Sequence, residues 1–413
     1  MKSLRVVSYL IVLAAVSARG EAANWIATWA APPVPPGMAM GPLPATPTFS
    51  NQTIRQVVRI SAGGNRVRIR FTNEYGTKPL VIGAARIALA DEKGSPKAGA
   101  DKPLTFAGKT TAVIPEGAPL LSDPLDLAVT ALSSLSISVY LPEDTGPCTC
   151  HGAGMQTAYV SDTGDFTDKT FTPNQTMPAR AFLSGVEVET TAPAKAIVVF
   201  GDSISDGVGS TIDANRRWPD LLAEKLAARD PAKAWGIVNQ GISGNRILND
   251  GTGQSALGRF DRDVLAVPGV KYVILFEGVN DLGISFGEFK GPMAERFKSL
   301  QPAHKATAEA MIAGYRQLID RAHGKGLKIY GATIAPYEGT GYYSADGNAV
   351  RETINKWIRT SGAFDAVLDF DAVFRDPARP TQIADGLHAG DHLHGSDAGY
   401  AALAKSIDLS LFK

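Results

Sequence analysis

Residues 196–207 read AIVVFGDSISDG, an apolar run that ends in a Gly-Asp-Ser turn. A short, uninterrupted apolar run is typical of a central parallel strand that is buried on both faces. Ser203 lies three residues after the predicted end of this strand at Phe200. Because open parallel sheets bind their ligands at the carboxyl ends of the strands, the sequence predicts that Ser203 lies where chemistry takes place.

The alternation of strands and helices continues to the C-terminus. Further apolar strands are predicted at residues 236–239, 272–277, 327–334 and 366–370, and helices at 218–229, 306–323 and 349–360. In the second helix apolar residues recur at helical spacing, and Gly324 and Gly326 end it. This order predicts an α/β domain over residues 191–413, with a flavodoxin-like, five-stranded parallel sheet flanked by helices.

The first half of the chain has the pattern of β structure. Residues 53–61 and 66–72 largely alternate apolar and polar side chains, and Ala-Gly-Gly-Asn at 62–65 separates them. This pattern predicts a β-hairpin. Short strands are also predicted at residues 81–88, 135–141 and 181–188. Strands at this spacing, with almost no helical periodicity, predict an all-β sandwich or jelly roll as an accessory domain over residues 24–190.

The N-terminus has the layout of a secretory signal peptide. Lys2 and Arg5 precede an apolar run at residues 6–16, and small residues follow. We therefore expect residues 1–23 to be cleaved and the protein to be secreted or periplasmic. A retained anchor is the alternative, but the run is short for a membrane span, so no stable membrane insertion is expected after cleavage. The 41 basic and 41 acidic residues cancel without long runs of one sign, so nucleic acid is not an expected partner.

The two cysteines, Cys148 and Cys150, are too few for a disulfide scaffold. In an exported protein they either close a small ring or stay reduced and buried. A metal site built on them and His151 lacks a fourth ligand in the sequence. His151, His304 and His323 have the pattern of ordinary surface or packing residues, although His151 is a candidate to approach the domain junction.

Four polar segments occur at or beyond predicted strand ends. They are GDSISDG at 201–207, NQGISGN at 239–245, EGVND at 277–281 and DHLH at 391–394. In this order they resemble the Ser, Gly, Asn and His segments of the SGNH hydrolase superfamily (GDSL-type esterases and lipases), in its two-domain secreted form. The resemblance covers roughly residues 195–413.

The resemblance implies a role for each segment. A serine hydroxyl such as that of Ser203 is a poor nucleophile unless a base accepts its proton. His394 is the candidate base, because imidazole titrates near neutral pH, and Asp391 would fix its tautomer and stabilise the imidazolium. The resemblance also implies an oxyanion hole, formed by the backbone N–H groups of Ser203 and Gly244 and the side-chain amide of Asn280. No cofactor or metal is expected.

Alternatives exist for some of these assignments. Asp385 and His388 form a second Asp-x-x-His pair. We prefer Asp391 and His394 because the following residues, GSDAGY at 395–400, resemble the family's transition into a terminal helix, although the family usually has Pro-Asn where Gly-Ser stands here. Gly241 is an alternative to Gly244.

A zinc site is a further alternative for the C-terminal segment. Its members would come from one cluster, namely Asp385, His388, Asp391, His392 and His394. Such a site needs three or four converging ligands, and it would leave the Ser, Gly and Asn segments unexplained.

The predicted function is hydrolysis of carboxylic esters through an acyl-enzyme on Ser203. The β domain suggests acetylated carbohydrate as the substrate, by analogy of fold alone. The alternatives are a short-chain lipid or lysophospholipid esterase, an acyltransferase, and a glycan-binding protein with a weak hydrolase domain. The expected partner is thus a small-molecule or polysaccharide ester. Tyr337, Glu338, Tyr342 and Tyr343, which follow the fourth strand, either contact substrate or form a packed loop.

Overall fold

The structure, a computed structural model, describes residues 24–37, 46–91, 94–97, 99, 101–289 and 294–413. The predicted signal peptide, residues 1–23, lies outside the described residues. The strands of the first half are β1 (Trp25–Ala30), β2 (Gln52–Arg59), β3 (Gly64–Thr72), β4 (Leu80–Ile82), β5 (Ala84–Leu89), β6 (Lys102–Pro103), β7 (Ala112–Ile114), β8 (Pro119–Leu121), β9 (Leu125–Val129), β10 (Ser134–Leu141), β11 (Cys150–His151), β12 (Ala158–Thr163), β13 (Gln175–Met177), β14 (Arg180–Ala181) and β15 (Leu183–Glu189).

These strands form two main antiparallel sheets. One has the order β1-β15-β3-β8, with β9 also on β3, and the other has the order β13-β12-β2-β10-β5-β6. Apolar side chains of both sheets share one buried cluster, among them Ile54 and Val58 of β2 and Val67 and Ile69 of β3. The N-terminal half is therefore a β-sandwich, as predicted, whereas the jelly-roll connectivity stays a prediction.

The predicted hairpin at residues 53–72 is wrong. The strands β2 and β3 have the expected positions, but they lie in different sheets, β2 between β12 and β10 and β3 beside β15. Between them, the backbone N–H of Ser61 donates to the carbonyl of Thr28 at 3.0 Å, and that of Ala62 donates to Thr28 Oγ1 at 2.6 Å. The connection thus runs along β1 and crosses from one sheet to the other. Period-two alternation is the same in both arrangements, so it could not distinguish them.

The second half is the predicted α/β domain. Its strands are β16 (Ala194–Gly201), β17 (Ala234–Gly241), β18 (Val270–Phe276), β19 (Lys328–Ala332) and β20 (Ala366–Leu368), and its helices are α1 (Ser203–Asp206), α2 (Trp218–Arg229), α3 (Ala256–Phe260), α4 (Val279–Phe286), α5 (Ala294–Ser299), α6 (Ala308–Gly324), α7 (Ala345–Thr360), α8 (Phe370–Phe374) and α9 (Asp397–Ser406). A π-helical turn at Asp261–Leu265 and a 3₁₀ turn at Leu409–Leu411 complete it.

The five strands form one sheet with the order β17-β16-β18-β19-β20. All four neighbouring pairs are parallel. In β16 the predicted apolar run, residues 196–200, is fully buried. Parallel strands end at one edge of their sheet, so this order brings the segments after β16, β17 and β18 side by side.

The sandwich packs against β17, the outermost strand on one side of this sheet. The strand β1 lies against β17, and the backbone N–H of Ile237 donates to Ser61 Oγ at 2.7 Å. A Cβ on Gly236 would lie 2.1 Å from the carbonyl oxygen of Ala27, so only glycine permits this approach. Arg59 of the sandwich also forms an ion pair with Glu224 of α2 at 2.9 Å.

Within the part of the chain that the structure describes, no helix combines the length and the apolar character that a membrane crossing requires.

Candidate active site

Ser203 is the first residue of the short helix α1, directly beyond the carboxyl end of β16. The Asp202 side chain caps this helix, because its Oδ1 accepts the backbone N–H of Ile204 at 2.9 Å. The nucleophile candidate is only 4% exposed. The turn from strand to helix therefore places the Ser203 hydroxyl at the sheet edge, where the sequence predicts it.

A chain of hydrogen bonds connects Ser203 to the C-terminal Asp-x-x-His segment. His394 Nε2 lies 2.8 Å from Ser203 Oγ, and His394 Nδ1 lies 2.5 Å from Asp391 Oδ2. The other oxygen of Asp391 accepts the backbone N–H groups of Leu393 at 3.0 Å and of His394 at 2.9 Å. The fold thus brings together the three residues predicted as nucleophile, base and orienting carboxylate.

The electrostatics of Asp391 suit the last of these roles. Partial burial acts to raise the pKa of Asp391. The hydrogen bond from the His394 side chain, the charge of His394 and the two backbone N–H groups lower the pKa by more than burial raises it. The pKa of Asp391 therefore lies below its ordinary value. Because the carboxylate stays ionised at neutral pH, it can stabilise a positive charge on the His394 ring.

The second Asp-x-x-His pair points elsewhere. Asp385 forms an ion pair with Arg379 at 3.2 Å, and His388 Nδ1 accepts the backbone N–H of Gly390 at 3.0 Å. Among the described residues, no group of three or more His, Cys, Asp and Glu side chains could hold a metal ion. The zinc alternative therefore has no ligand set in the described part of this segment.

The predicted oxyanion donors line one cavity with Ser203 and His394. This cavity has a volume of about 240 Å³, and Gly244 and Asn280 form part of its wall. Gly244 has a φ of 78°, a left-handed conformation that glycine adopts without strain. Gly241, the alternative, ends β17 and does not line the cavity.

Asn280 is held in place by the backbone. It is the second residue of α4, and its Nδ2 donates to the carbonyl of Asn245 at 3.0 Å. A side-chain amide has two N–H donors, so one remains for an oxyanion. The donor roles of Ser203, Gly244 and Asn280 stay predictions, and the geometry places all three at the same cavity.

The remaining wall of the cavity is apolar and aromatic. Apart from Ser243, it consists of Val208, Phe297, Tyr342 and Leu393. Of these, the sequence indicates only Tyr342 as a candidate for substrate contact, because a wall residue needs apolar surface and no particular motif. The hydroxyl of Tyr342 is buried and has no hydrogen-bond partner among the described residues.

The other members of the loop after β19 have different contacts. The ring of Tyr337 packs edge-on against that of Tyr343, with 5.2 Å between centroids. Glu338 accepts a hydrogen bond from the Thr381 hydroxyl. Of the four candidates in this loop, Tyr342 is the one that lines the cavity.

Two buried acids are sequence neighbours of site residues, Asp202 of Ser203 and Asp281 of Asn280. Burial raises the pKa of Asp202 to about 7; the charges of Asp281 and Asp206 add to this effect, and the Ile204 N–H and the charge of His394 oppose it. Burial likewise raises the pKa of Asp281 to about 6, against the backbone N–H groups of Ile247 and Leu248 that its carboxylate accepts. Asp202 therefore carries a proton over much of the range below neutral pH.

A second histidine–aspartate pair lies at the C-terminal end of helix α1, which begins with Ser203. His151 Nε2 lies 2.8 Å from Asp206 Oδ1, and Ser243 Oγ donates to Asp206 Oδ2 at 2.9 Å. Nearby, Cys148 and Cys150 are joined by a disulfide, so the small ring forms. The sequence does not indicate the pairing of His151 with Asp206, because the two are 55 positions apart and no motif connects them.

The parallel sheet and the Ser203–His394–Asp391 arrangement together define a hydrolase of the SGNH class. Residues 199–402 match the GDSL-like Lipase/Acylhydrolase family. The C-terminal half of this chain belongs to that family.

Several solved structures are similar to this half of the chain. One is an acetyl xylan esterase from Geobacillus stearothermophilus, with 20% identity over 52% of this chain and 93% of that one, and a TM-score of 0.39. Another is a lipase/acylhydrolase from Enterococcus faecalis, with 18% identity over 51% and 92% and a TM-score of 0.38. A third is a putative lipolytic protein of the G-D-S-L family from Desulfitobacterium hafniense, with 21% identity over 51% and 97% and a TM-score of 0.35. The comparison with curated proteins finds no match.

Proposed function

We propose that the protein hydrolyses carboxylic esters through an acyl-enzyme on Ser203. The observation that carries this proposal is the hydrogen-bonded chain from Ser203 through His394 to Asp391. As Ser203 Oγ attacks the acyl carbon, His394 Nε2 accepts the hydroxyl proton and becomes an imidazolium that Asp391 stabilises. The carbonyl oxygen becomes an oxyanion, which accepts hydrogen bonds from the donors at Gly244, Asn280 and Ser203 itself.

The tetrahedral intermediate then collapses in a balanced sequence. The bond from the acyl carbon to the alcohol oxygen breaks, and the alcohol leaves with the proton from His394. A water molecule next attacks the acyl carbon and gives a proton to His394. When the bond to Ser203 Oγ breaks, that proton returns to the serine and the carboxylic acid departs.

The cavity indicates the kind of acyl group. Val208, Leu393 and Phe297 offer apolar surface around a volume of about 240 Å³. Apolar walls bind apolar groups by excluding water from both surfaces. The substrate we propose is therefore an ester of a short apolar acyl chain.

Acetylated carbohydrate is the second candidate. The observation that favours it is Tyr342, an aromatic residue that lines the cavity. An aromatic ring can pack on the apolar face of the alcohol part of a substrate. A sugar fits this description, as does a glycerol.

The proposal includes export from the cytoplasm. The layout of residues 1–23 supports it. The Cys148–Cys150 disulfide supports it as well, because disulfides form and persist in oxidising compartments.

Substitution of the nucleophile tests the proposed function. Ser203→Ala should lower kcat for p-nitrophenyl acetate by at least about 10⁴-fold, because the acyl group has no oxygen to which it can transfer. A fluorophosphonate probe should label the wild-type protein once, at Ser203, and should not label the variant. Ser205→Ala is the matched control, since Ser205 lies in the same helix and does not line the cavity.

Full activity of Ser203→Ala would refute the proposal. A series of p-nitrophenyl esters from acetate to octanoate, measured beside acetylated xylan, separates the two substrate candidates. Higher kcat/KM for butyrate or hexanoate than for acetate supports the apolar acyl chain. Faster release of acetate from xylan than from the phenyl ester supports the carbohydrate.

A further inference from the structure

His151 belongs to the β-sandwich, yet its side chain reaches the catalytic domain. It ends the two-residue strand β11, and its side chain is 5% exposed. Nδ1 lies 3.2 Å from the carbonyl oxygen of Pro32, within the sandwich. Nε2 lies 2.8 Å from Asp206 Oδ1, across the domain junction. The ring is thus held on one side by its own domain and contacts the other domain with the opposite nitrogen.

Asp206 joins the two segments that flank the catalytic cavity. It is the last residue of α1, whose first residue is Ser203. Its Oδ2 accepts the hydroxyl of Ser243 at 2.9 Å, in the segment after β17. This buried carboxylate, 3% exposed, therefore connects helix α1, which begins with Ser203, to the segment after β17 that contains Gly244.

Ser243 directly precedes Gly244, so the position of the Ser243 backbone affects the direction of the Gly244 N–H. The peptide unit between them is planar, so the N–H moves with the Ser243 backbone. Gly244 lacks a Cβ that would restrict its own dihedral angles. The Ser243 side chain is therefore an anchor for this peptide, and its partner is Asp206. Oxyanion donors accelerate a reaction only when they are already in position.

We propose that His151 is a positioning residue, supplied by the β-sandwich, that directs the Gly244 N–H toward the oxyanion through Asp206 and Ser243. His151 does not line the catalytic cavity, so it acts on the reaction through these two neighbours. This inference rests on the proposed esterase function. It gives the accessory domain a part in catalysis that a substrate-binding module would not have.

Replacing His151 should affect kcat far more than KM. A lost hydrogen bond to a charged group corresponds to about a tenfold to hundredfold change. We expect His151→Ala to lower kcat for p-nitrophenyl acetate by that factor, with KM within about twofold of the wild-type value, because the contact acts on the transition state. His151→Gln, which keeps an N–H donor facing Asp206, should recover part of the loss.

His323→Ala is the matched control. His323 also pairs with an aspartate, Asp365, at 2.9 Å, but this pair is at the surface of the catalytic domain. Its loss should leave kcat and KM unchanged. A purely structural effect of His151→Ala would lower the amount of folded enzyme, and would leave kcat per active site, counted by fluorophosphonate titration, at the wild-type value.

A double-variant cycle completes the test and covers the case in which His151→Ala fails to fold. Ser243→Ala removes the anchor itself, so His151→Gln should cause little further loss in its background. Additive losses, a wild-type kcat in His151→Ala, or an effect on KM alone would overturn the inference. Failure of the proposed function would be seen separately, as full activity of Ser203→Ala.

Discussion

Two histidine–aspartate pairs close to Ser203, one in contact with its hydroxyl and one at the end of its helix, share their residue types and differ in what they contact. In the pair of His394 and Asp391, the side chains are 16% and 47% exposed, and the free ring nitrogen faces the Ser203 hydroxyl. In the pair of His151 and Asp206, the side chains are 5% and 3% exposed, and the other nitrogen faces a backbone carbonyl. The ring nitrogen that does not face the aspartate therefore distinguishes the two histidines: in His394 it contacts the Ser203 hydroxyl, as a catalytic base requires, and in His151 it contacts the backbone, as a positioning residue requires.

The largest expected effect is that of removing the base. His394→Ala should lower kcat by at least about 10⁴-fold, because nothing then accepts the Ser203 proton. The measurement is steady-state hydrolysis of p-nitrophenyl acetate beside His151→Ala. If the comparison is right, the loss exceeds that of His151→Ala by at least about a hundredfold. Equal losses in the two variants would erase the distinction between the pairs.

Removing an oxyanion donor should have the next largest effect. Asn280→Ala should lower kcat by about 10²–10³-fold, the usual result when one such donor is lost. The KM should change little, since the amide is used mainly in the transition state. Steady-state kinetics and thermal unfolding of the same preparation check this. A change in KM alone would assign Asn280 to substrate binding.

Asp202 is sensitive to both pairs, since His394 lowers its pKa and Asp206 raises it. Its folded-state pKa, raised mainly by burial to about 7, lies above the unfolded value of about 3.9. The folded protein therefore holds an extra proton between about pH 4 and 7, and the free energy of unfolding contributed by Asp202 falls as the pH rises through this range.

Asp202→Asn removes this titration. The Tm of the variant minus that of the wild-type protein should increase by a few degrees between about pH 4.5 and pH 8, as measured by calorimetry. Asp385→Asn, at an exposed position, is the control and should follow the wild-type curve. Parallel curves for Asp202→Asn and the wild-type protein would show that Asp202 keeps the same charge in both states.

The smallest effect is expected at the other Asp-x-x-His pair. His388→Ala should change kcat by less than about threefold, because its ring contacts loop backbone and not Ser203. The same assay and the same active-site titration measure it. A loss comparable to that of His394→Ala would mean that the two histidines exchange places during turnover.

Much of the catalytic domain could be predicted from the sequence. Helix α2 has the predicted bounds, and β16 extends the predicted run by a few residues, because buried parallel strands and amphipathic helices leave continuous local patterns. The helix α4, which carries Asn280, was not predicted. The crossing between β2 and β3 could not be predicted either, since a strand's alternation does not state which neighbour it pairs with.

The residues of the site also fall into those that the sequence predicts and those that it does not. The motif residues Ser203, Gly244, Asn280 and His394 come together at one cavity, because each follows the carboxyl end of a strand or lies in the C-terminal loop beside it. The wall residue Phe297 and the support residue His151 carry no motif. Their positions depend on the packing of distant segments, which no local pattern encodes.

The contact between β1 and β17 has a consequence for attempts to shorten the protein. An unpaired outer strand recruits strands from other molecules, so proteins cover or interrupt such edges. Here the cover is the sandwich itself, with the Ser61 hydroxyl on the Ile237 N–H and the Ala27 carbonyl against Gly236. Truncation between residues 190 and 191 would expose β17 and leave a fragment that tends to self-associate. The hydrolase domain therefore depends on the sandwich to cover its outer strand.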